Sequence, residues 1–176
     1  MSRALHSAVV SDDTPDRCYL AALRILQYRF NSEAELRRKL QRKSFESDEI
    51  EAAIVKLRGE KWLDDQRFAG ALVRTRAGRK VGKRRIQREL QAAGVDHETA
   101  GTALAENLDA ERERESLVEV GVKRARLLAR RHGEDFLTTS EGRNKLAGYL
   151  LKQGYDAALV REALKEITVV HHQRNP

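Results

Sequence analysis

The chain has 176 residues, a length that suits one ordinary domain or several very small units. Charged residues make up 35% of the sequence and aromatic residues only 5%, which argues against the base-stacking surfaces of RRM and OB domains. The net charge of +7 indicates contact with nucleic acid, an acidic protein or an anionic surface, without choosing among them.

Cysteine content and hydropathy exclude further classes of protein. Cys18 is the only cysteine, so the sequence allows no internal disulfide and no cysteine-based zinc or iron site. It contains no run of about 18 apolar residues, and the apolar stretch near its start is too short for a signal peptide. We therefore expect a cytoplasmic protein that makes no contact with a membrane.

The chain is predicted to be all-α, because its two prolines, Pro15 and Pro176, lie at its ends. Predicted N-caps are Ser32, Ser47, Asp64, Asp96, Ser140 and Asp156, and predicted C-caps are Gly94, Gly133 and Gly154. They delimit helices at 16–29, 32–43, 47–58, 64–78, 82–93, 96–107, 110–132, 140–153 and 156–167. Residues 1–15 and 168–176 are predicted to be flexible tails.

A unit of three helices occurs three times, at 16–63, 64–108 and 109–167. Apolar residues recur at equivalent positions, which are Leu36, Leu40, Phe45, Ile50 and Ile54, then Ile86, Leu90, Val95, Ala100 and Leu104, then Leu146, Leu150, Tyr155, Val160 and Leu164. The turn between the paired helices also recurs, with Ser44 where the other units have glycine, so we expect strained αL geometry or a different turn there. Units this small bury their apolar faces against neighbours, which predicts an elongated, curved array.

Two segments carry a resemblance to a known family. KWLDDQRFA (residues 61–69) and GKRRIQRELQAAGV (residues 82–95) resemble signatures of the RecX family, and AELRRKLQRKSF (residues 34–45) fits the same pattern. The resemblance covers residues 16–167. Lys61 and Ser44 depart from it, because both stand where the family has glycine.

The resemblance implies a fold of three tandem three-helix repeats. It also implies a non-enzymatic regulator that binds in the groove of RecA filaments on DNA. Such a protein inhibits ATP hydrolysis and strand exchange, and it acts in DNA repair, homologous recombination and the SOS response.

The segment RTRAGRKVGKRRIQREL (residues 74–90) holds eight cations before its first acidic residue, Glu89. If Ile86 and Leu90 form the buried stripe, the arginines of this helix face outward. The alternative is a solubilising surface, but such a surface usually interleaves glutamate, and eight like charges should repel one another. We therefore predict a surface that binds a partner or DNA, formed by Arg74, Arg76, Arg79, Lys80, Lys83, Arg84, Arg85 and Arg88.

A second group of candidate cations lies at the end of the seventh predicted helix. Its members are Lys123, Arg126, Arg130 and Arg131. Glu119 is predicted to pair with Lys123 one turn later. The alternative explanation is that the C-terminal helix dipole attracts these cations locally.

The motif WLDDQRF (residues 62–68) is interpreted as structural. Adjacent residues on a helix point about 100° apart, so Asp64 and Asp65 do not converge on one proton or metal ion. Asp64 is predicted to be an N-cap and Asp65 a first-turn anion. Trp62, Leu63 and Phe68 are predicted to form a hydrophobic joint between the first two repeats.

No catalytic residue, metal site or cofactor is predicted, because the histidines lack ligand spacing and no phosphate-binding loop occurs. The leading hypothesis is a monomeric, non-enzymatic protein that binds a RecA filament and contacts the filament surface or DNA phosphates. The alternative is a protein that binds single- or double-stranded DNA directly, with the helices at 82–93 and 96–107 as a helix-turn-helix. A hydrolase or nuclease is disfavoured, because no convergent acid pair is visible.

Overall fold

A computed structural model describes the backbone of residues 14–173 and the side chains of residues 17–168. This part of the chain is helical, with no strand among the described residues. The helices are α1 (Thr14–Tyr28), α2 (Glu33–Gln41), α3 (Ser47–Gly59), α4 (Asp65–Gly78), α5 (Lys83–Ala93), α6 (His97–Asn107), α7 (Ala110–His132), α8 (Ser140–Gln153) and α9 (Ala157–Gln173). A short 3-10 helix, Glu134–Thr138, precedes α8. The all-α prediction is confirmed.

Two terminal boundaries differ from the prediction. Helix α1 begins at Thr14, inside the predicted N-terminal tail, and α9 continues to Gln173, past the predicted end at residue 167. Residues 168–173 belong to a helix because neither glycine nor proline interrupts the chain between Tyr155 and Pro176. The remaining residues of the predicted tails, 1–13 and 174–176, lie outside the described residues.

Helix caps explain where most helices begin. The side chains of Ser32 and Asp96 each accept a hydrogen bond from the third residue of the helix that follows, as predicted. The caps of α3 and α8 lie one residue earlier than predicted, at Glu46 and Thr139. Thr139 Oγ1 accepts the N–H of Gly142 at 3.0 Å, so it satisfies a donor of α8 that Ser140, already inside the helix, does not.

The turns that end five of the helices contain a residue in the left-handed αL region. Gly94 and Gly154 adopt this geometry without strain, whereas Ser44, Lys61 and Lys80 adopt it with φ of 62°, 61° and 58°. In each turn the next residue donates its N–H to the carbonyl five residues earlier, which is the Schellman pattern. The αL geometry expected at Ser44 is therefore present, at a cost of roughly 1 kcal/mol for each non-glycine residue.

Each three-helix repeat has its own hydrophobic core. The first core lies among α1, α2 and α3, the second among α4, α5 and α6, and the third among α7, α8, α9 and the 3-10 helix. Every position of the repeated apolar pattern is buried except Phe45 and Leu164, which are partly buried against their cores. The tandem arrangement of three-helix repeats is thus confirmed.

The chain divides into two compact units, residues 1–65 and 66–176, so the first repeat forms one unit and the other two repeats form the second. The residues predicted to form a joint do not share one core. Leu63 is buried in the first core and Phe68 in the second, whereas Trp62 is 56% exposed. Trp62 follows the left-handed residue Lys61 in the turn after α3. The change of chain direction there keeps the indole from continuing the apolar stripe of α3.

Within the second unit, the N-terminus of α5 meets the turn between α8 and α9. The N–H of Gly82 donates to the carbonyl of Gln153 at 3.0 Å, and the N–H of Arg84 donates to the carbonyl of Gly154 at 2.9 Å. These bonds join the second repeat to the third through their backbones. We call this contact the glycine joint.

Both glycines of the joint are required by the close approach of the two backbones. A Cβ atom on Gly82 would lie 2.3 Å from the backbone nitrogen of Tyr155. A Cβ atom on Gly154 would lie 2.3 Å from the Cβ atom of Arg85, and its φ of 94° disfavours other residues as well. A side chain at either position would therefore push the two repeats apart.

We predict that Gly82→Ala lowers the free energy of unfolding of the second unit by about 1–3 kcal/mol or more, because the methyl group meets rigid backbone. Gly101→Ala is the matched control, since Gly101 lies in α6 with open space where the added methyl group would lie. It should raise stability by up to about 1 kcal/mol. Urea unfolding followed by circular dichroism measures both, and a Gly82→Ala protein as stable as wild type would contradict the joint.

Candidate functional site

The basic segment at residues 74–88 lies around the glycine joint, and acidic groups of the third repeat meet it there. Arg84 forms an ion pair with Asp156, and Lys80 forms one with Glu119. The backbone N–H of Lys83 donates to a carboxylate oxygen of Glu113 at 2.7 Å. The first turn of α5 is therefore held by groups that lie far away in the sequence.

Several cations of this segment are paired, which corrects the expectation that they repel one another without a nearby anion. Glu89 accepts from Arg76 and, at 3.2 Å, from Arg85. Arg74 donates to the side-chain oxygen of Asn107 at 2.6 Å. The expectation of repulsion was wrong for the paired cations because their anions come from the following helix, from the next helical turn or from the third repeat.

Besides Arg74, whose partner Asn107 is neutral, three cations of the segment have no anionic partner among the described residues. The side chains of Arg79, Lys83 and Arg88 are exposed and form no ion pair with residues 17–168. Arg88 donates only a long hydrogen bond, at 3.4 Å, to the carbonyl of Arg84. These three charges are available to an external anion.

The second predicted group, on the last turns of α7, is exposed. Lys123, Arg126, Arg130 and Arg131 form no ion pair within the described part of the chain. The predicted pairing of Glu119 with Lys123 was wrong, since Glu119 pairs with Lys80 instead. Lys123 is thereby left without an anion.

One cleft brings cations from both predicted groups together. It is lined by Arg79, Lys80, Glu119, Val120, Lys123, Arg124, Leu127 and Tyr149. We call it the basic cleft. Arg79 and Lys80 come from the turn after α4, and Lys123 comes from α7, so two segments treated separately in the sequence form one surface. Arg126, Arg130 and Arg131 do not line this cleft.

The wall of the basic cleft contains two residues that the site prediction missed. The guanidinium of Arg124 lies 4.8 Å from the ring centroid of Tyr149, a cation–π contact that fixes both side chains. The Nε atom of Arg124 is buried and has no hydrogen-bond partner in the described structure. Nothing in the sequence marks Tyr149, because the contact joins α7 to α8.

A second cleft lies on α5 beside the glycine joint. It is lined by Arg84, Gln87, Arg88, Gln91, Leu151 and Tyr155. Leu151 is 44% exposed, so this cleft combines cations, amides and an apolar group. Of the predicted site residues, only Arg84 and Arg88 line it.

Tyr155 connects the glycine joint to the basic cleft. Its hydroxyl donates to the backbone carbonyl of Lys80 at 2.8 Å, which holds this residue in its left-handed conformation. Burial raises the pKa of the Tyr155 hydroxyl, and the carboxylate of Glu113 raises it further. The hydroxyl therefore remains a donor at neutral pH.

Asp65 and Cys18 have structural roles in the described fold. Asp65 accepts the backbone N–H of Glu33 at 2.9 Å, so it satisfies a donor of the first turn of α2, a contact that the sequence did not reveal. Burial raises the pKa of the Cys18 thiol, and Glu49 adds to this effect.

Within the described residues, no cluster of histidine, cysteine and acidic side chains could hold a metal ion, and no helix is long and apolar enough to cross a membrane.

These features define an all-α protein built from tandem three-helix repeats, with its candidate site in surface clefts rich in cations. Family models for the first and second three-helix domains of RecX match residues 18–57 and 64–104. A "Regulatory protein RecX" of Xanthomonas oryzae pv. oryzae is 37% identical over 82% of this chain and 84% of its own length. Another, of Trichlorobacter lovleyi, is 35% identical over 90% of this chain and all of its own length.

Solved structures agree with this assignment. The crystal structure of RecX from Lactobacillus salivarius has a TM-score of 0.73 and 26% identity, covering 89% of this chain and 98% of that one. A second crystal structure, of a regulatory protein RecX, has a TM-score of 0.75, and at 22% identity it supports the fold alone. The chain belongs to the RecX family of regulatory proteins, which confirms the resemblance found in the sequence.

We predict that Tyr155→Phe lowers stability at pH 7 by about 0.5–1.5 kcal/mol, because the hydrogen bond to Lys80 is lost. A tyrosine pKa raised by folding stabilises the protein below the ordinary value of 10.0, and this contribution declines as the pH rises above it. The difference between variant and wild type should therefore shrink from about pH 9 to pH 11. Tyr28→Phe, at an 89% exposed position, is the control. A constant difference across this range would contradict the role of the hydroxyl.

Proposed function

We propose that this protein is a non-enzymatic regulator that binds the RecA filament on DNA through its basic cleft. The observation that carries the proposal is the meeting of Arg79 and Lys123, both without an ion pair among the described residues, in one cleft. Membership of a family of regulatory proteins supports the regulatory role. The protein would act as a cytoplasmic monomer, without cofactor.

The composition of the cleft favours a protein surface as its main contact. Cations lie beside Tyr149 and Leu127, and Leu127 is 51% exposed. Interfaces between proteins are enriched in aromatic residues and arginine, whereas contacts to DNA phosphates need only cations and polar groups. We therefore infer that the cleft binds an acidic surface of the filament. The exposed Arg126, Arg130 and Arg131 are candidates for contact with nearby DNA phosphates.

Inhibition would follow from differential affinity for the states of the filament. A ligand shifts an equilibrium only if it binds one state more tightly than another. A repeat protein that contacts neighbouring protomers could favour a filament state with slow ATP hydrolysis without touching the nucleotide. This mechanism requires no catalytic residue in the regulator.

The decisive variant is Arg79→Glu combined with Lys123→Glu. Neither side chain has an ion pair in the described chain, so their reversal removes a partner contact without breaking an internal one. Reversal of Arg84 or Arg85 would instead break the pairs with Asp156 and Glu89. We expect the concentration that inhibits RecA's DNA-dependent ATPase by half to rise at least about tenfold, as for the loss of two interfacial charge contacts.

Arg161→Glu combined with Lys165→Glu is the matched control. Both residues are exposed on α9 and form no ion pair in the described structure, and the change in net charge is the same. The control should inhibit like wild type. Co-sedimentation with RecA on single-stranded DNA measures binding in parallel. Wild-type inhibition and binding by the Arg79/Lys123 variant would contradict the proposed role of the cleft.

The alternative function, sequence-specific DNA binding by α5 and α6, has less support. In a helix-turn-helix the second helix enters the major groove, and here that helix would be α6. Helix α6 contains no lysine or arginine, and it carries Glu98 and Glu106. The first turn of α5 is also occupied by the glycine joint. Neither observation favours base readout.

Binding to unrelated duplexes at two salt concentrations tests this alternative. We expect any binding by the isolated protein to weaken steeply with salt and to show no sequence preference, because it would arise from phosphate contacts alone. Equal-length duplexes of different sequence serve as controls for each other. A reproducible preference of about tenfold or more for one sequence would favour the helix-turn-helix.

A further inference from the structure

A separate basic cleft in the first unit plays no part in the proposed contact with RecA. It is lined by Ile25, Tyr28, Arg29, Lys39, Arg42 and Lys43. We call it the tyrosine cleft. Tyr28 is the last residue of α1, and the four cations come from the ends of α1 and α2 and the turns that follow them.

Tyr28 has no structural role in the described fold. Its side chain is 89% exposed and forms no hydrogen bond or ring contact with residues 17–168. The other tyrosines differ in this respect: Tyr155 is buried, Tyr149 stacks with Arg124, and Tyr19 donates to Glu60 at 2.5 Å. An aromatic ring left in water beside four cations is therefore an unexplained feature of the first unit.

The cations around the ring crowd one another. Partial burial lowers the pKa of Lys39, and the nearby positive charges of Arg29 and Arg42 lower it further. Arg29 is paired with Glu35 at 3.0 Å, and Lys39 donates to Asn31, but Arg42 and Lys43 have no anion in the described chain. The C-terminal dipole of α2 favours cations here, yet it does not account for the exposed ring. An external anion would relieve the repulsion.

We propose that the tyrosine cleft binds one or two nucleotides of a single-stranded nucleic acid. A base stacks on the Tyr28 ring, and Arg42 and Lys43 hold the adjacent phosphates. An exposed aromatic face within a positively charged groove is the chemistry that recognises unpaired bases, since bases in a duplex are already stacked. A single ring is not a platform for several bases, so the site is small. This inference is independent of the proposed contact with RecA, which lies in the second unit.

Photochemical cross-linking locates the site directly. The full chain is mixed with oligothymidylate in which one base is 5-iodouracil, irradiated, digested and analysed by mass spectrometry. We expect the main cross-link at Tyr28, retained in Tyr28→Phe and lost in Tyr28→Ala, because phenylalanine keeps the stacking face. Cross-links confined to the second unit, or distributed evenly over its cations, would overturn the inference.

Fluorescence anisotropy measures the contribution of the ring to affinity. For labelled oligothymidylate, Tyr28→Ala should weaken binding roughly five- to tenfold, as for one stacked base, whereas Tyr28→Phe should stay within about twofold of wild type. Leu20→Ala, which removes another exposed apolar side chain of α1, is the matched control and should bind like wild type. Oligouridylate in place of oligothymidylate distinguishes RNA from DNA as the source of the strand.

One further variant and two further ligands define what the cleft recognises. Arg42→Glu combined with Lys43→Glu should weaken binding to single strands and reduce its salt dependence. On a duplex of equal length, Tyr28→Ala should have no effect, and an equal loss on single strand and duplex would overturn the stacking role. Binding of a labelled polyglutamate peptide that depended on Tyr28 would also overturn it, because it would make the cleft a protein-binding site.

The Arg79→Glu/Lys123→Glu variant separates the two proposals. The Tyr28 cross-link should persist in this variant, whatever its effect on RecA, if the tyrosine cleft acts by itself. Loss of the cross-link there would contradict independent binding by the first unit. Loss of RecA inhibition with retention of the cross-link would support both proposals.

Discussion

The second unit depends on the contact between two backbones at the glycine joint. Gly82 and Gly154 let the start of α5 approach the α8–α9 turn so closely that hydrogen bonds form between repeats. This approach brings Arg84 to Asp156 and Lys83 to Glu113. The basic cleft follows from the same contact, since it needs the turn after α4 and the face of α7 side by side. A bulkier residue in the joint would disturb fold and cleft together.

The cations of the second unit fall into two classes that their sequence does not distinguish. Some are paired within the chain, and the single carboxylate of Glu89 forms ion pairs with both Arg76 and Arg85. Ion pairs that stay accessible to water contribute roughly 0–1 kcal/mol each, so they orient side chains more than they stabilise the fold. The cations without an ion pair in the described chain, such as Arg79 and Lys123, carry charge that a partner can neutralise. Cations that contact a partner are therefore better predicted from the absence of an ion pair within the described chain than from their clustering in the sequence.

The fold could be predicted from the sequence to a large extent, because its signals are local. Apolar periodicity places Leu36, Ile86 and Leu146 at equivalent buried positions, and capping residues mark most helix ends. The site could be predicted only in part. Which cations are paired depends on contacts between repeats, and so does the assembly of the basic cleft from the turn after α4 and the face of α7. The left-handed geometry of Lys80 was also hidden, since lysine gives no signal for it.

Tyr155 breaks the equivalence of the repeats. Within its own repeat it is the apolar plug after the turn, as Phe45 and Val95 are in theirs, yet its hydroxyl reaches back to Lys80 in the preceding repeat. Neither Phe45 nor Val95 can donate a hydrogen bond from its side chain. The second and third repeats therefore recognise each other as particular partners and not as interchangeable modules. Duplication or exchange of a repeat at this boundary would lose that hydrogen bond, because the plug residues of the other two repeats have no hydroxyl group.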